Sequence, residues 1–156
     1  MTERVDFYVL KSAAAKQRWA FACRLVEKAY QRDLSIVIVN DTLADAQALD
    51  DLLWTFNDRA FIPHKLCLDE HSTDPATKIH LTALPTAAPG ADLLVNLSAQ
   101  LPAQWQHYSR IAEIIDADEE RRRLGRERFK SYRDLKVTLE THQLDETARI
   151  LSGYAT

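Results

Sequence analysis

Hydrophobic and polar positions along this chain follow two alternating rhythms. Phe7-Tyr8-Val9-Leu10 is a short unbroken apolar run of the strand type. From Ser12 onward Trp19, Cys23, Val26 and Tyr30 recur every three or four residues, which predicts a helix. Ser35-Ile36-Val37-Ile38-Val39-Asn40 is a β-branched run, the composition of a strand covered on both faces of a parallel sheet. Thr42 with Asp45 three residues on makes a variant capping box, and Leu43, Ala46, Leu49, Leu53 and Phe56 then share one helical face to about residue 57. Lys78 to Leu84, Asp92 to Ser98 and Ile111 to Asp116 each read as strands, with a turn from Pro85 to Gly90 and a further strand around Cys67. Asp118 caps a helix running to about Arg133, and Leu144 to Ser152 reads as a terminal helix stopped by Gly153. Strands alternating with helices predict an α/β sandwich, a mainly parallel central sheet flanked by helices. A length of 156 residues fits a single domain spanning 1–156, with no repeat or linker in it.

Charge changes this picture at one place. Arg121 to Arg133 holds seven cations and one anion, a local +6 on a chain of net −3, so the remaining residues sum to −9. Exposed charges more than about 8–10 Å apart are screened in physiological salt, so such an island attracts an acidic partner locally while the rest of the surface repels extended polyanions. Phe129 and Tyr132 lie inside it and suit a partner both anionic and apolar. Charged residues at 28% and a pI near 5.9 argue against general nucleic-acid affinity, which needs many net cations. No apolar run reaches 18 residues and the first residues do not have the pattern of a signal peptide, so the expected location is the cytoplasm.

Candidate chemistry is sparse. Cys23 and Cys67 read as core thiols; the alternative is a zinc site from His64, Cys67, His71 and His80, whose spacing matches no compact finger. The first strand–helix junction, Leu10-Lys11-Ser12-Ala13-Ala14-Ala15, has no glycine, and the chain's three glycines are at 90, 125 and 153, so no phosphate-cradling loop is present. Asn40-Asp41-Thr42 and Asn96-Leu97-Ser98 sit at strand C-terminal ends, where open α/β sheets place ligands, and read either as caps and turns or as a ligand site. Asp116, Asp118, Glu119 and Glu120 read as helix N-terminal acids, or else as a magnesium cluster. No hydrolase elbow, zincin or deaminase motif occurs, and no cofactor is expected.

Six blocks taken in order, Phe7-Tyr8-Val9-Leu10, Leu53-Trp54-Thr55-Phe56, Phe61-Ile62-Pro63-His64, Leu94-Val95-Asn96-Leu97, Ile114-Ile115-Asp116 and Arg126-Glu127-Arg128-Phe129-Lys130-Ser131-Tyr132-Arg133, give a pattern that resembles the chi subunit family of bacterial DNA polymerase III. The resemblance covers nearly the whole chain. It implies a Rossmann-like fold without catalytic activity and an accessory subunit of the clamp loader, joined through the psi subunit. It also implies binding of the acidic C-terminal tail of the single-stranded-DNA-binding protein, with DNA reached only indirectly. Carried over by motif, Arg126 holds the terminal carboxylate and Phe129 lines the slot. Arg122, Lys130 and Arg133 meet the acidic residues, Tyr132 completes the set, and Phe61, Ile62, Pro63 and His64 face psi. The family commonly has a glycine and an aromatic after the Tyr-Arg pair, where this chain has Leu135-Lys136-Val137. Read from the residues alone, the basic helix is equally a solvated amphipathic face, and Phe61 and Ile62 are equally core residues beside a proline turn. Two rival functions stay open: an α/β enzyme binding a nucleotide or other small molecule at the Asn40 and Asn96 strand ends, and direct single-stranded-DNA binding by the basic helix.

Overall fold

The structure, a computed structural model, describes residues 2–57, 61–67, 76–83, 91–102 and 104–144. The chain runs β1 (Arg4–Val9), α1 (Ala15–Gln31), β2 (Ile36–Asn40), α2 (Leu43–Thr55), β3 (His64–Leu66), β4 (Ile79–Ala83), β5 (Leu93–Asn96), a 3-10 turn at Trp105–His107, β6 (Arg110–Ile115), α3 (Glu119–Asp134) and β7 (Thr138–Gln143). The seven strands form one sheet in the order β3-β4-β2-β5-β6-β1-β7, and all its pairings are parallel. This is the doubly wound, Rossmann-like α/β architecture that the alternating rhythm predicts.

Each face of the sheet has its own core. Tyr8, Ile36, Ile38, Leu81, Val95 and Ile114 point to the side where α1 and α2 bring Phe21, Val26, Leu49 and Leu53. Val5, Phe7, Val37, Val39 and Ile111 point to the other side, under Trp105 and Tyr132. The β2 run is buried at every position: α1 and α2 cover one of its faces, and the second core, with Trp105, covers the other. Both cap residues act as expected: Thr42 accepts from Asp45 N at 3.1 Å and Asp118 from Arg121 N at 2.9 Å.

Three differences from the sequence reading have physical causes. β1 begins at Arg4, ahead of the apolar run, because the buried Asp6 carboxylate is satisfied by Arg4, Arg110 and His142. α1 begins at Ala15, after a bend in which Ser12 Oγ accepts from Ala14 N at 3.1 Å. β7 carries no apolar run; it is an edge strand, its side chains mostly exposed, held by parallel pairing to β1. The expected terminal helix, Leu144 to Ser152, lies largely outside the described residues.

The link from α3 into β7 is a tight helix stop. Lys136 N donates to Arg133 O at 2.9 Å and Val137 N to Tyr132 O at 3.2 Å, with Lys136 in the left-handed region at φ 62°. This is the position where a glycine ordinarily ends a helix. It reverses the chain so that β7 lies alongside the helix it has just left.

Candidate functional site

Of the seven cations in the basic run, four are engaged with carboxylates. Arg128 lies in the interior, its Nε donating to both Glu113 oxygens at 3.2 Å and its guanidinium to Ala99 O at 2.6 Å. Arg121 sits 3.3 Å from Asp41 and 3.9 Å from Asp116. Arg123 pairs along the helix with Glu120 and Glu127, and Arg133 stands 3.9 Å from Asp134. Among the described residues, Arg122, Arg126 and Lys130 have no carboxylate partner. The island seen in sequence is therefore narrower in space. It is an amphipathic helix whose inner cations, Arg121 and Arg128, hold it in place and whose outer ones are partly paired along the helix and partly open.

Two of the open cations line a cleft of about 240 Å³ between α3 and the β7 edge. Phe7 and Val9 of β1 and Ile115 of β6 form its floor, Arg122, Gly125, Arg126 and Phe129 one wall, and Thr141 and Gln143 the other. Phe129 packs edge-on against Phe7 with ring centroids 5.2 Å apart. Gly125 lets the helix approach the floor closely, because a Cβ on it would meet Ile115 Cδ1 and force that side-chain end aside. Arg122 donates from Nε to Asp116 O at 3.3 Å and from its terminal nitrogen to Leu10 O at 3.2 Å. Neutral carbonyls thus orient its guanidinium without cancelling its charge. The result is an apolar slot with a fixed cation and an exposed one, suited to an anionic group on an aromatic or aliphatic body.

The structure brings Arg122, Arg126 and Phe129 together in this slot, and leaves Lys130 and Arg133 exposed on the same helix beyond its lining. Tyr132 is elsewhere. It is 0% exposed, with its hydroxyl donating to Glu113 Oε2 at 2.8 Å and its ring edge-on to Trp105 and Phe7, so it presents nothing to a ligand and holds the helix from beneath. Burial and the adjacent Glu113 push its hydroxyl far up, keeping it a donor. Burial likewise raises Glu113, against the pull of Arg128 and of the hydrogen bonds from Tyr132, Asn96 and Arg128. Thr141 and Gln143 were not legible as site residues. They fall in a polar edge strand, and Lys136 stands where a helix-ending glycine would have announced the turn.

At the other edge of the sheet, Phe61 is 73% and Trp54 44% exposed, with ring centroids 5.8 Å apart. Of the block assigned to a partner, only Phe61 is freely exposed. Ile62 is buried in the core and Pro63 half-buried. His64 is interior, its ring nitrogens 2.7 Å from Ile62 O and 2.9 Å from Asp50 O, and 4.0 Å centroid to centroid from Trp54. Trp54, one helical element upstream, supplies the second exposed ring. Its position was in the sequence, but nothing in the α2 periodicity marks it as a neighbour of Phe61.

The strand ends where α/β sheets hold ligands are occupied by the protein's own side chains. Arg18 donates to Leu97 O at 2.8 Å and lies 3.5 Å from Asp116; Asn96 bonds Glu113, Gln100 O and Ser98; and Ala99 N donates to Asp41. Asp118 caps α3, and among the described residues no three His, Cys, Asp or Glu groups converge as metal ligands; His71 lies outside them. None of the helices described is long and apolar enough to cross a membrane.

Fold and surface together define a doubly wound, all-parallel α/β protein that carries open aromatic and cationic chemistry at the two edges of its sheet. The sequence model of the family described as DNA polymerase III chi subunit, HolC, matches residues 1–140, and the chain belongs to that family. It is similar to the DNA polymerase III subunit chi of Pseudomonas aeruginosa, 35% identical over 143 residues that cover 90% of this chain and 96% of that protein. It is also similar to that of Haemophilus influenzae, 25% identical over 134 residues that cover 85% and 92%. The family resemblance drawn from the six sequence blocks is thus borne out, and with it an accessory role in DNA replication as a subunit of the polymerase III holoenzyme.

Proposed function

We propose that the chain is a noncatalytic adaptor of the replicase in the cytoplasm: one edge of its sheet takes the acidic C-terminal tail of the single-stranded-DNA-binding protein, the other takes psi. The observation that carries the first half is the slot, where an apolar floor meets two cations without carboxylate partners. In this reading Arg122 and Arg126 receive the terminal carboxylate, the last side chain lies in the slot against Phe129 and Phe7, and Lys130 and Arg133 meet the acidic residues upstream. The second half rests on the exposed Trp54–Phe61 pair, an aromatic anchor of the kind that dominates interface energies. The filled strand ends speak against a nucleotide-binding enzyme. Three open cations on α3, neutralising three phosphates, would give only weak and steeply salt-dependent binding to single strands.

Calorimetric titration with a peptide ending in Asp-Asp-Ile-Pro-Phe tests the tail assignment. Arg126→Ala should weaken it by about 1.5–3 kcal/mol and Arg133→Ala by under about 1 kcal/mol, and amidating the terminus should hurt the wild type far more than Arg126→Ala. Equal losses on amidation would remove Arg126 from the carboxylate. Phe61→Ala should cost on the order of 2 kcal/mol in psi association and leave peptide affinity unchanged; loss of peptide binding with the fold intact would show that the two surfaces are wrongly assigned.

A further inference from the structure

A second cavity, of about 80 Å³, lies on the opposite face of the sheet from the slot, under the C-terminal half of α1. Tyr8, Leu93 and Ala112 make its floor, with Leu25 and Ala29 of α1 above them. Its volume is several times the roughly 10–15 Å³ that one water needs. The polar lining is cationic: Lys28 and Arg32 from α1 and Arg110 from β6, against a single acid, Asp6. Asp6 already accepts from Arg4 at 2.8 Å and from Arg110 at 3.0 Å, so its charge is spent. Lys28 and Arg32 have no carboxylate partner among the described residues. The carbonyl end of α1 accounts for some of their attraction to this place. Arg110 comes from the sheet, where Asp6 holds one of its terminal nitrogens at 3.0 Å while its Nε is buried without an acceptor.

We propose that this cavity binds a small anionic group carried on a short apolar stem, a carboxylate or a phosphate monoester, with the head at Arg110, Lys28 and Arg32 and the stem against Tyr8, Leu93 and Ala112. Neither the charge nor the floor suits a cation or a bare sugar. The site shares no lining residue with the slot and does not depend on what the slot binds.

The test is a nitrogen–proton NMR titration of the full chain with butyrate, inorganic phosphate and n-butylamine, and with a short peptide ending in the same carboxylate. Butyrate should shift Ala29, Arg110 and Ala112 saturably while Gly125, in the slot, stays still, and phosphate, lacking the stem, should bind more weakly. Lys28→Gln with Arg32→Gln should weaken butyrate at least about threefold, and Ala29→Leu, which fills the space without touching a charge, should abolish it. If Ala29→Leu fails to fold, the exposed double variant decides alone. A peptide that outcompetes butyrate assigns the cavity to a chain terminus, and the reverse ranking to a free metabolite-sized anion; either ranking supports the site. No saturable shift, equal binding of n-butylamine, or unchanged affinity in the double variant would overturn it.

Discussion

Tyr132→Phe separates a residue that holds the slot's helix from one that touches the ligand. The substitution keeps the ring, and with it the contacts to Trp105 and Phe7 at centroid distances of 5.2 and 5.9 Å. It removes one buried donor to a carboxylate, the 2.8 Å bond to Glu113 Oε2. A hydrogen bond to a charged group is worth about 1.5–3 kcal/mol. Glu113 keeps Asn96 at 3.0 and 3.1 Å and Arg128 at 3.2 Å, so the cost belongs near the lower end, about 1.5 kcal/mol. For a protein of this size that is a fall in Tm of about 3–6 °C. Thermal unfolding and peptide titration on the same sample decide the matter: the midpoint should drop and the affinity stay within about twofold of wild type. A double-mutant cycle with Glu113→Gln should show coupling above about 0.5 kcal/mol, since both changes act on one bond. An unchanged midpoint with clearly weakened peptide binding would refute the reasoning and put the hydroxyl on the ligand's side.

Arg128→Met should cost about 3–5 kcal/mol by stranding Glu113 in the interior, while Arg126→Met, two residues away, should leave urea unfolding unchanged; similar costs for both would contradict the burial described. Lys136→Gly should stabilise by about 0.5–1 kcal/mol, because a glycine relieves the positive φ at the end of α3, and a loss of stability in chemical denaturation would show that the lysine's own contacts outweigh the strain. Asp6 is held below the usual carboxylate range: burial alone would raise it, and the hydrogen bonds from His142, Arg4 and Arg110 outweigh that. Its contribution is thus present above about pH 4 and lost as pH falls through the lower folded value, where the unfolded chain binds the more protons. Asp6→Asn should flatten the fall in stability between pH 5 and about pH 2 measured by urea midpoints, and an unchanged slope would remove Asp6 as its source.

Periodicity carried the fold because this sheet is covered on both sides. A strand such as Ile36–Asn40 must be apolar throughout and a helix such as Leu43–Thr55 must repeat at helical spacing, and both signals survive in a single sequence. The β7 edge had no such signal. Its stability comes from parallel pairing to β1, a long-range property that Thr138 to Gln143 do not display locally. The same limit divided the site. Charge density located α3 and resemblance selected Arg122, Arg126, Phe129, Lys130, Tyr132 and Arg133, but neither could say that Arg128 and Tyr132, in the same run, point inward to Glu113. That needs the partner: a glutamate on β6 inside the apolar run Ile111 to Ile115, a feature of the sequence that asks for a buried cation nearby.

The inward half of the basic helix explains how the outward half keeps its charge open. A cation near a surface carboxylate is neutralised cheaply, and a chain carrying 23 acidic residues offers many such carboxylates. Here Arg128, anchored on Glu113, and Arg121, between Asp41 and Asp116, fix the rotation of α3 about its own axis. With that rotation fixed, Arg122 reaches the carbonyls of Asp116 and Leu10 and no carboxylate among the described residues, and Arg126 lines the cleft. Thr141 and Gln143, neutral residues at the facing wall, supply no carboxylate to quench either one. An anionic partner entering the slot would therefore meet one oriented cation, Arg122, and a second, Arg126, and among the described residues neither has a salt bridge for it to displace. A carboxylate introduced on that wall tests the point directly: Thr141→Glu should pair with the open arginines and suppress peptide binding about tenfold or more without lowering stability, and undiminished affinity would mean that the anion never comes within reach of β7.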